Sequence, residues 1–175
     1  MKRHCLNLFL ALSMTAALLT GCGSEAQNTA DTDAISFEAV DMDGNTVTEE
    51  VFTQSKLTMV NVWATTCNPC LSEMPDLGKL ADEYDPADFQ IIGIVSDVME
   101  GADQTSLDEV EGLISETGAD YTHLLLNESL YYALLTDVSA TTFFIDDSGT
   151  VLRSVLGAKE KADWEELIDG LLAEQ

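Results

Sequence analysis

From residue 57 to 63 the chain reads Leu-Thr-Met-Val-Asn-Val-Trp, a nearly unbroken apolar run rich in β-branched residues. It is short for a helix and suited to a buried strand. Residues 68–84 then switch period, with apolar positions at Leu71, Met74, Leu77, Leu80 and Ala81, which predicts a helix that Pro75 should kink. A second apolar strand is expected at 89–95, an acidic loop at 97–104, and an amphipathic helix at 106–117 through Leu107, Val110, Leu113 and Ile114. A strand at 121–126, a short helix at 129–135 capped by Ser129 or Asn127, a hairpin of 142–146 and 150–156 around Asp147-Ser148-Gly149, and a helix at 160–172 complete the pattern. Ahead of the central strand, residues 35–40 alternate, Asp43-Gly44 turns, Thr46-Val47-Thr48 returns, and 49–52 can form one helical turn. Strands alternating with helices predict an α/β sandwich with a central mixed sheet.

The first residues follow a different logic. Lys2, Arg3 and His4 precede an apolar run over 6–19, the layout of a secretory signal peptide and short for a membrane span. The run ends in Leu19-Thr20-Gly21-Cys22, which resembles a bacterial lipobox and implies cleavage before a lipidated Cys22. Residues 23–34 are small and polar without period, a flexible tether of roughly 20 Å root-mean-square reach. The expected organisation is a signal peptide at 1–21, a lipidated tether at 22–34 and one folded domain at 35–175.

Charge narrows the partners. The chain carries 32 Asp and Glu against 7 Lys and Arg, a formal net charge of −25. Loss of residues 1–21 removes Lys2 and Arg3 and no acid, giving −27. Such a surface repels nucleic acid. The same cut changes the cysteine count: Cys5 leaves with the signal, Cys22 is spent on lipid, and Cys67 and Cys70 remain, outside the cytosol, where a disulfide persists.

These two form Trp63-Ala64-Thr65-Thr66-Cys67-Asn68-Pro69-Cys70, a CxxC where a strand turns into a helix. Free backbone N–H groups and the helix dipole favour a thiolate at Cys67, and Cys70, one turn on, can resolve a mixed disulfide. A zinc half-site is the rival reading, but zinc needs four ligands and no second CxxC or paired histidine exists. A structural disulfide is the other. The expected cofactor set is empty apart from the dithiol itself, with no metal site.

The chain is similar to the TlpA/ResA-like membrane-tethered thioredoxins of the redoxin group. The similarity lies in the hairpin, the Val-Trp-Ala-x-x-Cys-x-Pro-Cys-x-x-Glu-Met-Pro segment and Thr-Thr-Phe-Phe-Ile-Asp, across residues 35–175. The resemblance implies a thioredoxin-like fold with an N-terminal β-hairpin extension and a thiol–disulfide oxidoreductase, reducing rather than oxidising. Cys67 would be the nucleophile, Cys70 the resolving thiol, and Glu73 the acid that helps move protons. Trp63, Thr66, Pro69, Ala140 and Thr141 would face the substrate. Exported protein disulfides, apocytochrome c or methionine sulfoxide reductases among them, are the implied clients. A membrane electron donor would regenerate the dithiol, the lipid anchor would hold the protein to the outer face of a bacterial cell membrane, and a monomer is expected.

Three residues depart from the family pattern. Thr66 replaces a tryptophan, Asn61 replaces a buried aspartate, and Ala140 stands where a cis-proline precedes Thr-Thr-Phe. A cis bond before alanine costs about 2.5–4 kcal/mol, so a trans peptide with an altered clamp, or a local rearrangement, is expected. A binding lipoprotein with little turnover and a metal-handling dithiol are therefore alternatives. A peroxiredoxin would need other residues at Ala64 and Val60, and a Sco-type copper chaperone a CxxxC. The lone mature-chain histidine, His123, reads as a core-edge residue, and the acidic stretch 97–103 lacks calcium-loop spacing.

Overall fold

Alternation of polar and apolar residues near the start produces a small hairpin in the computed structural model, which describes residues 34–134 and 140–175. Strand β1 (Glu38–Val40) pairs antiparallel with β2 (Thr46–Thr48), Glu38 opposite Thr48. Ile35, Phe37 and Ala39 point inward and are buried. A 3-10 turn (Glu49–Gln54) follows and buries Phe52.

The run at 57–63 becomes β3 (Leu57–Trp63), buried at every position. It leads through the dithiol into α1 (Asn68–Glu83), a 16-residue helix that keeps Pro75 within its length. Strand β4 (Phe89–Met99), α2 (Gln104–Thr117), β5 (Thr122–Leu126), α3 (Glu128–Leu134), β6 (Thr141–Asp146), β7 (Val151–Leu156) and α4 (Lys161–Ala173) complete the described chain. The main sheet runs β5-β4-β3-β6-β7. β3, β4 and β5 are parallel, and β6 and β7 return antiparallel.

Because β3 is central, both of its faces are covered. Val60 and Val62 join Ile92, Ile94, Leu124 and Ile145 beneath the N-terminal hairpin and α3. Leu57 and Met59 join Leu77, Leu80, Phe144, Trp164 and Ile168 beneath α1 and α4. Trp63, Cys70, Met74, Val95 and Val110 form a third cluster under the dithiol.

One expectation changes, and one pair of alternatives is decided. The acidic loop placed at 97–104 starts later, because β4 continues to Met99 through a register shift between Val95 and Met99. Ser96 and Asp97 are held there by side-chain bonds to residues 63 and 65. Of the two cap candidates for α3, Asn127 Oδ1 accepts from Leu130 N at 2.9 Å, while Ser129 Oγ accepts from Glu38 N and ties the helix to β1. The proposed signal peptide, Cys22 and the tether up to residue 33 lie outside the described residues, as do 135–139.

Candidate active site

The sequence places Cys67 at the N-cap of α1 because Pro69 suits the first helical turn, where no N–H partner is needed. Cys67 and Cys70 are disulfide-bonded, with Cα atoms 5.3 Å apart. Cys67 Sγ also accepts from Cys70 N at 3.4 Å, so a backbone N–H already points at that sulfur. Cys67 is half-buried between exposed Thr66 and Asn68, whereas Cys70 is fully buried. Of the two sulfurs, the first borders solvent and the second faces the core.

Beneath them Asn61, the polar interruption in β3, meets Glu73 of α1. Glu73 Oε1 accepts from Asn61 Nδ2 at 3.1 Å, and Oε2 from Lys159 N at 3.1 Å and Trp164 Nε1 at 3.3 Å. Burial raises the Glu73 carboxyl above the usual glutamate range, against the lowering effect of those donors and of the Lys159 charge. Glu73 nevertheless contributes to the wall of a cleft of about 330 Å³ beside Pro69, which also takes in Ser72, Asp76, Lys159, Glu160 and Asp163. Asn61 Nδ2 additionally reaches Thr142 Oγ1 at 3.2 Å, and Asn61 Oδ1 is buried with no partner.

The residues assigned to the substrate face divide. Thr66 and Pro69 are exposed, and Thr141 is half-buried at the start of β6. Trp63 requires a correction: it is 0 % exposed. It packs in the same cluster as Cys70 and cannot touch a partner; it underlies the dithiol instead of rimming it. Ala140 packs against that cluster too, with φ at +60°. Its N–H donates to Val62 O at 2.8 Å and its carbonyl accepts from Gly157 N at 2.7 Å. The peptide joining it to Ser139 falls outside the described residues.

His123 was legible only as a core-edge residue; the structure buries it at 3 % exposure and gives it two partners. Trp63 Nε1 donates to Nδ1 at 3.1 Å, so the proton sits on Nε2, 2.9 Å from Ala119 O. The ring stacks on Tyr121 and lies over Gly93, where a Cβ would come within van der Waals overlap of the imidazole. Burial lowers its pKa to about 4. An isolated glycine inside an apolar strand was the available signal for this close approach. Trp164 and the Lys159 backbone, both partners of Glu73, had no local signal. Among the described residues no group of three or more His, Cys, Asp or Glu is arranged to hold a metal ion.

Comparison with known proteins agrees with this geometry. Residues 30–154 match the AhpC/TSA family. The thiol-disulfide oxidoreductase ResA of Bacillus anthracis is 25% identical over 134 residues, spanning 76% of this chain and 73% of that protein. A thiol:disulfide interchange protein DsbE homolog of Paracoccus denitrificans is 30% identical over 120 residues, 67% of this chain and 60% of its own length. The crystal structure of a thioredoxin-family thiol:disulfide interchange protein from Chlorobium tepidum superposes with a TM-score of 0.65 at 28% identity, covering 79% of this chain and 94% of that one. The chain belongs to the AhpC/TSA family, as a thiol–disulfide oxidoreductase of the thioredoxin type built on the Cys67–Cys70 pair.

Proposed function

We propose that the protein is an extracytoplasmic disulfide reductase, tethered through Cys22, that acts on exported proteins. The observation that carries this reading is the unequal exposure of the two sulfurs, with a backbone N–H aimed at the outer one. Reduced Cys67, as thiolate, attacks a sulfur of the partner's disulfide. A new S–S bond joins the proteins and the partner's other sulfur leaves as thiolate. Cys70 then gives up its proton and attacks Cys67 Sγ, expelling the second partner thiolate and closing Cys67–Cys70. Two electrons pass to the partner, and a membrane electron donor returns them. Glu73 is the proton acceptor for Cys70 in this cycle; its raised affinity for protons and its position on the cleft at Pro69 support the role. Thr66, Pro69, Ala140 and Thr141 line the approach to Cys67 for an extended client segment, such as one of apocytochrome c or of a methionine sulfoxide reductase.

The relatives named as interchange proteins support the chemistry, and the lipobox-like Leu19-Thr20-Gly21-Cys22 supports the anchor. Reduction of insulin or a client peptide by wild type, with Cys67→Ser alongside, tests the reading: turnover is expected to vanish in the variant, and equal activity in both ends the catalytic claim. The left-handed Ala140 favours one alternative, a thioredoxin-fold binding lipoprotein with weak turnover. In that case wild type and Cys67→Ser are equally slow while client binding persists.

A further inference from the structure

Strand β4 does more than extend the sheet. Its register against β5 jumps from Val95 opposite Leu125 to Met99 opposite Leu126, which leaves Ser96, Asp97 and Val98 unpaired in that ladder. The extruded segment reaches the turn that carries Cys67. Ser96 Oγ donates to Trp63 O at 2.9 Å. The Asp97 carboxylate accepts from Thr65 N at 3.0 and 2.9 Å and from Thr65 Oγ1 at 2.8 Å. Thr65 is the second residue of a tight turn closed by Cys67 N donating to Ala64 O at 3.0 Å. Val98 is buried in the cluster that holds Trp63 and Cys70, so the extruded segment is anchored on its far side as well.

We infer that Asp97 is a positioning residue for the Cys67 turn, and that its fixed negative charge holds the Cys67–Cys70 pair toward the reducing end of its range. The inference rests on the reading of Cys67 as the attacking sulfur. Two residues of chain span at most ~7 Å, and the hydrogen bond to Thr65 N and the Cys67 side chain add about 3 Å each, so the carboxylate lies within roughly 13 Å of that sulfur, and closure of the turn brings it nearer. At this range a like charge raises a thiol pKa, opposing the helix N-terminus and the Cys70 N–H, which lower it. Reducing the disulfide takes up two electrons and two protons. Where Cys67 ionises readily, one of those protons returns to solvent and the reduced form gains stability, which makes the pair a better oxidant. Asp97 works against that outcome. The other ionisable groups near the dithiol, Glu73 and the Asp76, Lys159, Glu160 and Asp163 side chains at the cleft, are left in place when Asp97 is changed.

Asp97→Asn keeps an acceptor for Thr65 N and removes the charge. Two readouts follow: Cys67 pKa, from the pH dependence of iodoacetamide alkylation, and the equilibrium constant against glutathione. The expected result is a Cys67 pKa lower by about 0.3 to 0.5 unit and a roughly two- to threefold shift toward the reduced form, equivalent to about 9–14 mV more oxidising. The shift should shrink in 1 M salt, since Asp97 is exposed. Thr65→Ala, which loses the hydroxyl bond and keeps the charge, should lower the unfolding midpoint and leave both readouts unchanged. An Asp97→Asn protein with wild-type pKa and equilibrium constant overturns the inference. So does Thr65→Ala reproducing the Asp97→Asn shift. Should Asp97→Asn fail to fold, Asp97→Ser removes the same charge and is judged by the same two readouts. Insulin reduction by wild type stands apart from all of these: its absence removes the reductase reading, and its presence with unmoved readouts removes only the role of Asp97.

Discussion

Ala140 occupies the position where a proline was expected from the family pattern, yet its own geometry excludes one. A proline ring holds φ near −65° and has no N–H, whereas Ala140 sits at +60° and donates to Val62 O. Ala140→Pro should therefore cost about 3 kcal/mol or more. Ala140→Gly should gain up to about 1 kcal/mol, since the left-handed region costs an L-residue about 1–2 kcal/mol, partly offset by the freer unfolded chain. Urea unfolding of the two variants checks both signs.

Also at the residue scale, Glu73 and His123 set opposing pH dependences. His123 titrates near 6.5 when unfolded and at about 4 when folded. Its contribution is present above pH 6.5 and is lost as pH falls toward 4, to the extent of about 3 kcal/mol. Glu73 has a folded value raised above its unfolded 4.5, so its contribution is present below that value and is lost as pH rises through the folded one. Protonated Glu73 needs an acceptor, and the Asn61 amide supplies one by turning over its unpartnered Oδ1. His123→Gln should flatten the loss between pH 6.5 and 4. Glu73→Gln should be as stable as wild type or more so at pH 8 while reducing insulin more slowly. Denaturation across the pH range with each variant separates the two, and unchanged profiles in both sink the assignment.

At the scale of elements, one row across the sheet decides how the dithiol is supported. His123, Gly93, Asn61 and Thr142 are register partners on β5, β4, β3 and β6. His123 reaches over Gly93 to Trp63, and Asn61 holds Glu73 of α1 and Thr142. The gap at Gly93 is what permits the first of these: an added Cβ would collide with the imidazole. Gly93→Ala should destabilise by about 1–3 kcal/mol and break the Trp63–His123 bond. A lower unfolding midpoint together with altered tryptophan fluorescence would register it, and a wild-type midpoint would contradict it.

For the whole molecule, charge is the dominant variable. With a net charge of −25 and cations such as Lys56, Lys79 and Lys161 already committed to local pairs, long-range repulsion opposes the compact state. Salt screens exposed charges over about 3 Å at 1 M against about 30 Å at 0.01 M. The unfolding midpoint is expected to rise by about 3 °C or more across that range; a flat or falling midpoint would show that paired charges outweigh the net repulsion.

Strand, helix and dithiol were written in local patterns: an apolar run for β3, a 3.6-residue period for α1, and a CxxC at their junction, where helix-end N–H groups make a sulfur reactive. Such signals need only neighbouring residues, so one sequence suffices to read them. Asp97 looked like an ordinary acid in a loop, His123 like a core-edge residue and Trp63 like a substrate-facing one. Their positions depend on segments 32 to 60 residues apart converging on one end of the sheet. The burial of Glu73 against Trp164, 91 residues away, and the left-handed turn at Ala140 are likewise products of packing. Periodicity carries which face a residue takes; only the assembled sheet determines which distant side chain it meets there.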